Sequence, residues 1–234
     1  MASAVDSGKA PQMGKYNSAI RFIDARNNGM LNGSGVMIAP RFALSVSHLF
    51  QGGFSQLIAQ NQPMISSAKS GISVSRIHFV EYGTYAIDEQ SREWPPPIET
   101  NWRLDEICLV ELESPLATNY PRLESAEPGA ICTIAGYGRN YSDPNLDNGN
   151  LLTGPLRIRA RDFSNPGFFL MENFSHGDVF PESDDSGCPY YLGEDDTAVV
   201  GLQNCSLRSN GERFAVFRSI EGYEDWIKST IGAQ

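Results

Sequence analysis

The sequence predicts an all-β barrel or sandwich that ends in one helix. Short β-type runs recur along the chain without helical periodicity between them, and clusters of Gly, Pro, Asn and Asp separate these runs. Helical spacing is found near the C-terminus, at Tyr223, Trp226, Ile227 and Ile231. The β-type runs lie at 18–23, 35–38, 42–45, 72–78, 107–112, 131–135, 156–160, 198–203 and 214–217.

Turn-forming residues mark the gaps between these runs, at 27–29, 95–97, 128–129 and 143–150. The acidic, Pro-rich stretch 81–99 and the segment 115–129 are predicted to be the longest loops, and the second also suits a link between two barrels. The run 143–149 has oxygen-bearing side chains at alternate positions but lacks a closing Glu, so a surface turn is favoured over a calcium loop.

The composition and net charge of the chain limit the classes of function it can have. The 234 residues are 41% hydrophobic and 20% charged, which is typical of a globular protein with a real core. The net charge of −10 argues against nucleic acid or anionic membrane as partner. We expect no transmembrane helix, because no run of about eighteen apolar residues exists. No signal peptide is visible, and both a secreted bacterial protein and a cytoplasmic one fit the chain.

The four cysteines are too few and too scattered to form a disulfide framework. No Cys-x-x-Cys pair or Cys/His ligand spacing is present, so we predict no zinc, no other metal and no cofactor. Most of these residues are expected to be free, buried thiols. They are Cys108, Cys132, Cys188 and Cys205.

The chain has three histidines, and histidine is the side chain that most often acts as a general base in catalysis. His78 lies inside an alternating run and is predicted to be a strand residue, whereas His176 precedes Gly and Asp and indicates a turn. His48 follows a β-type run that ends in small residues, where a base would be exposed against a barrel wall. Taken alone, His48 is more often structural than catalytic.

The segment 182–189, with the sequence Glu-Ser-Asp-Asp-Ser-Gly-Cys-Pro, favours a catalytic role for His48 over a structural one. A serine between Asp and Gly in a tight turn exposes its hydroxyl and sets backbone N–H groups beside it. Such a turn can supply both a nucleophile and oxyanion donors. A bare Asp-Ser-Gly tripeptide would by itself favour a solvated acidic turn.

Five blocks, in order along the chain, resemble the trypsin-like serine peptidases. The block 35–48 is similar to the segment that ends in that family's catalytic His, and 107–115 to the strand after its catalytic Asp. The block 135–138 resembles its Gly-Trp-Gly, 184–189 its Gly-Asp-Ser-Gly-Gly-Pro, and 214–228 its last strand and C-terminal helix. The resemblance spans roughly residues 16–232.

This resemblance implies two packed six-stranded antiparallel barrels with a C-terminal α-helix, one barrel at 16–115 and one at 116–234. His48 would be the general base, Ser186 the nucleophile and Asp185 a buried carboxylate beside it. The backbone N–H groups of Asp184 and Ser186 would form the oxyanion hole. The positions implied in substrate binding are Phe180, Ser183, Asn204, Cys205, Ser206 and Ala215, with 204–206 as the strand that pairs with substrate.

The acid that orients His48 stays open between two residues. Ungapped alignment places Glu106 at the family's Asp position, whereas residue type favours Asp105, which would need a local bulge. Asp184 also departs from the family pattern, which has Gly there. An acidic side chain beside a developing oxyanion is unfavourable unless it points away, so this substitution favours an impaired or inactive enzyme.

The usual disulfides and activation site of the family are missing. Gly33 and Leu49 occupy one disulfide pair, and Cys132 faces a partner position held by Leu192. No Ile-Val-Gly-Gly-like activation site is present, so Asp185 needs another partner.

The resemblance therefore implies a serine endopeptidase acting on peptides or proteins. The absence of a carboxylate at the floor of the primary pocket and the presence of Phe180 there favour small or medium uncharged residues on the acyl side of the cleaved bond. The alternative is a catalytically inactive homologue that binds a partner through its cleft. The sequence indicates no oligomeric state.

Overall fold

The computed structural model describes residues 9–10, 12, 14–24, 30–50, 56–61, 71–80, 83–87, 107–116, 118–138, 150–161, 168–172, 180–181, 185–209 and 212–232. Several predicted positions lie outside this set: Asp105, Glu106, His176, Ser183, Asp184 and the run 143–149.

The first sheet of the described chain closes into a barrel. Its strands follow the order β4-β1-β2-β3-β7-β5, and each neighbouring pair is antiparallel. A pairing between β4 and β5 closes the circle, while β6 pairs with β5 outside it. The strands are β1 (Ala19–Asp24), β2 (Met30–Ala39), β3 (Phe42–Val46), β4 (Leu57–Gln60), β5 (Ile72–Phe79), β6 (Gly83–Ala86) and β7 (Ile107–Leu112).

The second sheet closes in the same way. Its order is β12-β9-β10-β11-β14-β13, with a β12–β13 pairing to close it, and the short β8 runs parallel to β13 at its edge. The strands are β8 (Arg122–Leu123), β9 (Ile131–Gly136), β10 (Leu152–Arg161), β11 (Phe168–Glu172), β12 (Pro189–Leu192), β13 (Ala198–Ser209) and β14 (Glu212–Ser219).

The alternation of side chains along the strands divides the buried residues between three clusters. On β7, Cys108 and Val110 face the interior of the first barrel, whereas Ile107 and Leu109 face the opposite way. The second set joins residues of the other barrel, such as Tyr191 and Leu202, in a cluster between the barrels. β7 is therefore buried on both faces, which explains its continuous apolar run.

The C-terminal helix α1 (Glu224–Gly232) packs against this cluster between the barrels, called the middle cluster below. Tyr223 and Ile227 are buried in it, and Trp226 and Ile231 pack against it, so the spacing that predicted the helix also defines its buried face. The carboxylate of Glu224 accepts a hydrogen bond from the backbone N–H of Gly222 at 2.8 Å. The predicted fold class, two six-stranded antiparallel barrels with a C-terminal helix, is confirmed in the described residues. The division at 115/116 stays a prediction. None of the described helices has the length and apolarity to cross a bilayer.

The cysteines are free, as predicted, and all but Cys205 are buried. The structure also shows what replaces the missing disulfides. Leu192 lies directly opposite Cys132 in the β12–β9 pairing. A Cβ placed on Gly33 would lie 2.5 Å from a methyl carbon of Leu49, so the leucine side chain fills the space of the other bridge.

His78 has a structural setting on β5. Its Nε2 lies 3.3 Å from the buried carboxylate of Glu111, and its Nδ1 lies 2.8 Å from the Thr84 hydroxyl. Arg41 and Arg76 also contact Glu111, at 2.8 and 3.4 Å. A neutral ring satisfies both contacts when Nε2–H donates to Glu111 and Nδ1 accepts from Thr84. His78 is a strand residue, as predicted.

We expect this histidine to make the protein less stable in mild acid. Burial lowers the pKa of His78, and Glu111 offsets this lowering in part. Because the folded-state pKa lies below the unfolded one, the unfolded chain binds the proton more readily, and stability falls as pH drops below about 6.5. Urea unfolding between pH 5 and pH 8 should show this loss in the wild type and a weaker one in His78→Gln. Equal slopes in the two proteins would contradict the assignment.

Candidate active site

The turn that carries Ser186 is held by backbone hydrogen bonds from both barrels. Within the turn, Cys188 N–H donates to the Asp185 carbonyl at 3.0 Å. Gly187 N–H donates to the carbonyl of Gln203 on β13 at 2.8 Å, and Ser34 N–H on β2 donates to the carbonyl of Ser186 at 2.8 Å. The last bond crosses between the barrels and fixes the serine against the first of them.

Gly187 makes this close approach feasible. Its φ is +82°, which favours glycine, and a Cβ there would overlap the Ser34 carbonyl oxygen and lie 2.7 Å from Ser45 Oγ. The Ser45 hydroxyl donates to the same Ser34 carbonyl at 2.7 Å. The nucleophile turn therefore docks on two small serines at the end of the first barrel, and any side chain at 187 would push it away.

The Ser186 hydroxyl is half-buried and donates to the Asn204 carbonyl at 3.4 Å, near the long limit for a hydrogen bond. Such a weak contact can be exchanged readily. The Asn204 side chain is buried, and its Nδ2 is among the buried polar atoms of the described chain without a hydrogen-bond partner.

His48 lies in a 3₁₀ turn (Ser47–Phe50) that directly follows β3. Its ring is half-buried. The next residue, Leu49, packs on Gly33, and a Cβ on Gly33 would also lie 3.0 Å from the Ser186 carbonyl oxygen. The His48 turn and the Ser186 turn thus meet at Gly33 of β2, and the Ser186 turn is also bonded to the next residue, Ser34.

Asp185 is fully buried beside the nucleophile. The thiol of Cys188 donates to its Oδ1 at 3.5 Å. Burial, and next the Asp185 carboxylate, raise the pKa of Cys188 well above its ordinary value, so the thiol stays protonated at neutral pH.

The predicted substrate-binding residues that the structure describes lie together on the second barrel. Phe180 is 5% exposed and packs in the core of that barrel with Ala215. Ser206 lies opposite Ala215 in the β13–β14 ladder, and its hydroxyl donates to the Pro181 carbonyl at 2.9 Å. Cys205 is half-buried. The Ser206–Pro181 hydrogen bond ties the segment after Phe180 to β13.

β13 continues past its pairing with β12 at this place. Its pairing with β12 ends at Leu202, whereas its pairing with β14 continues through Cys205 and Ser206 to Ser209. On this stretch β13 therefore pairs with β14 through Cys205 and Ser206, while Asn204 lies at an irregularity of that ladder. An extended peptide could add to the other side.

The two acid candidates, Asp105 and Glu106, and also Ser183 and Asp184 lie outside the described residues, so their roles stay predictions. In the part of the chain that the structure describes, no group of three His, Cys, Asp or Glu side chains is placed to hold a metal ion.

The comparisons with known proteins find a likeness in three-dimensional structure and none in sequence. No family model matches the chain, and no curated protein matches it in sequence. A solved structure, that of an inactivated protease paralogue from the scabies mite, superposes with a TM-score of 0.70 over 97% of this chain and 99% of that one, at 17% identity. The fold is chymotrypsin-like. At this identity the likeness shows the fold and leaves the activity open.

Sequence reasoning missed several residues that support the turn carrying Ser186. Ser34 and Ser45 dock the nucleophile turn, and Gly136 leaves room for Asp185 and Cys188. The signal was the small size of these residues within otherwise apolar runs. Small residues in such runs indicate close backbone approach, but the sequence does not say what approaches.

Proposed function

We propose that this chain is a serine endopeptidase in which Ser186 is the nucleophile and His48 the general base. The observation that carries the proposal is the hydrogen bond from Ser34 N–H to the Ser186 carbonyl, which joins the nucleophile turn to the strand beside the His48 turn. A solvated acidic loop would have no need of this junction between barrels, nor of a glycine at 187 with no room for a side chain.

The chemistry follows from this arrangement. As Ser186 Oγ attacks the carbonyl carbon of a peptide bond, His48 accepts its proton, and the N–H groups of Ser186 and Asp184 stabilise the oxyanion. His48 then returns the proton to the leaving amine, which leaves an acyl group on Ser186 Oγ. Water, deprotonated by His48, releases the acyl group and restores the serine. The weak bond from Ser186 to Asn204 would be exchanged for one to His48 when substrate binds.

Substrate would bind as a strand added alongside β13 at 204–206, so the proposed partners are peptides or unfolded protein segments. Main-chain hydrogen bonds give affinity in this mode, and side-chain pockets give specificity.

A fluorophosphonate probe tests the proposal without knowledge of the substrate, because it reacts with activated serines. Covalent labelling at Ser186, located by peptide mapping and prevented by unfolding the protein, is the expected result. Absence of labelling in folded protein would favour the second candidate, an inactive homologue that binds a partner through the same stretch of β13. Asp184 at a glycine position of the nucleophile block supports that candidate, since its carboxylate disfavours an oxyanion.

We predict that the enzyme accepts small or medium uncharged residues, such as Ala and Val, on the acyl side of the cleaved bond. The buried Phe180 side chain and the Ser206–Pro181 hydrogen bond support a pocket that would be shallow and apolar. A Lys or Arg side chain would lose its hydration there without gaining a counter-charge. Cleavage of a peptide library measures this preference.

Ser206→Gly removes the bond to Pro181 and should shift the preference towards larger apolar residues, whereas Ser206→Thr keeps the hydroxyl and should not. A dominant Lys or Arg preference in the wild type would mean that Phe180 does not lie at the pocket floor.

A further inference from the structure

Residue 188 holds the nucleophile turn at two points. Its backbone N–H donates to the Asp185 carbonyl at 3.0 Å, and its thiol donates to the Asp185 carboxylate at 3.5 Å. Its own carbonyl accepts from Gln203 N–H at 2.8 Å, which anchors it to β13. Both Asp185 and Cys188 are fully buried. A buried carboxylate needs such donors, because burial without them disfavours the charged form.

The space around this contact is closed by bare backbone. Gly136, the last residue of β9, lies against the pair. A Cβ placed there would overlap Cys188 Sγ and lie 2.7 Å from Asp185 Oδ1. Thiol and carboxylate therefore share a space that no side chain at 136 could enter, and their mutual position is fixed by packing.

The thiol is suited to donate and poorly suited to react. The Ser34 hydroxyl and the Tyr137 backbone N–H favour the thiolate, but burial and the Asp185 charge outweigh them and raise the pKa of Cys188. A buried thiol that stays protonated is a weak nucleophile. This argues against a redox role and leaves the hydrogen bond as its chemical contribution.

We propose that Cys188 is a positioning residue: its S–H donates to the Asp185 carboxylate and so holds the turn in which Ser186 and its oxyanion donors are presented. This inference rests on the proposed serine endopeptidase function. It assigns to a side chain two residues after the proposed nucleophile the task of supporting the buried Asp185 carboxylate.

The described tyrosines and Cys132 near Asp185 and Cys188 do not titrate in mild acid, so they do not obscure the response of Asp185 there. Burial raises the pKa of Tyr137, Tyr190 and Cys132, so these groups stay protonated throughout that range. Arg21 lies over the Tyr137 ring, 5.7 Å from its centroid, and keeps its charge. Of the titratable residues that the structure describes here, Tyr137 and Tyr190 interact with the pair, Arg21 interacts with Tyr137, and Cys132 and Cys205 interact with Tyr190.

Comparing Cys188→Ala with Cys188→Ser distinguishes the effect of the hydrogen-bond donor from the effect of side-chain volume, because serine keeps a donor and alanine does not. We expect the alanine variant to react with fluorophosphonate about tenfold more slowly, the effect of losing one hydrogen bond to a charged group, and the serine variant to stay within about threefold of the wild type. The control is Cys132→Ala, which removes another buried thiol of the same barrel and should leave the labelling rate unchanged.

A second measurement does not depend on activity. Removing the S–H donor takes one hydrogen bond from the charged form of the Asp185 carboxylate, so the urea-unfolding midpoint of Cys188→Ala should begin to fall at a higher pH on acidification than that of the wild type. Cys188→Ser should follow the wild-type curve. A purely space-filling role would lower the midpoint of Cys188→Ala by the same amount at every pH.

Two results would overturn the proposal: a Cys188→Ala variant with wild-type labelling and pH dependence, or a folded Cys188→Ser variant as impaired as Cys188→Ala. If the wild-type protein takes up no fluorophosphonate, the proposed function fails separately, and the unfolding curves still decide whether Cys188 supports Asp185.

Discussion

Ser186→Ala is expected to abolish fluorophosphonate labelling and to reduce peptide hydrolysis by a factor of roughly 10³ or more, while the protein stays folded. The reason is local. The described hydrogen bond of the hydroxyl is the 3.4 Å contact to the Asn204 carbonyl, whereas the turn is held by the backbone of Ser186 and Gly187, which the substitution leaves in place. Urea unfolding should therefore give nearly the wild-type midpoint, and cleavage of an unfolded protein substrate measures the loss.

The matched controls use the histidines. His48→Ala should reduce hydrolysis about as strongly as Ser186→Ala, because residues that act as one unit lose most of their effect together. His78→Ala should lower the unfolding midpoint instead, since it breaks the contacts to Glu111 and Thr84. Unchanged hydrolysis in Ser186→Ala would end the serine-peptidase proposal, and unchanged hydrolysis in His48→Ala would mean that another base serves the serine.

The fold could be predicted because its elements follow local patterns. β7 is a continuous apolar run, and α1 carries its buried residues at helical spacing. The closing of each barrel depends on pairings far apart in sequence, such as β4 with β5 and β12 with β13. Those pairings could be expected from the family resemblance, since no local pattern specifies which edge meets which.

The sequence supplied the candidate site residues but not the contacts that support them. His48 and Ser186 stand in recognisable blocks, but the contacts that join their turns run through Gly33 and Ser34. A glycine or serine in a strand has many structural explanations, and the sequence does not separate them. Cys188 was predicted to be a buried thiol, and its bond to Asp185 became evident from the structure.

The alternation of side chains between the two faces of β7 favours one of the two candidates for the acid that would orient His48. Ser45 lies opposite Cys108, and the Ser45 hydroxyl faces Gly187 of the nucleophile turn. On the other face, Ile107 and Leu109 join the middle cluster that includes Ile227 of the C-terminal helix. If the period of two continues one and two residues before Ile107, we expect Glu106 to share the face of Cys108 and Asp105 the face of Ile107.

Glu106→Gln should therefore slow hydrolysis by roughly 10⁴ near neutral pH, and Asp105→Asn should slow it little. Both changes keep size and hydrogen-bonding ability but remove the charge that stabilises the protonated His48 during attack, so folding should be spared in both. The fluorophosphonate labelling rate between pH 6 and pH 9 measures the effect, with Ser186→Ala as the blank. The reverse result, a large loss in Asp105→Asn alone, would require a bulge ahead of β7. Wild-type rates in both variants would show that the strand before Ile107 supplies no orienting acid.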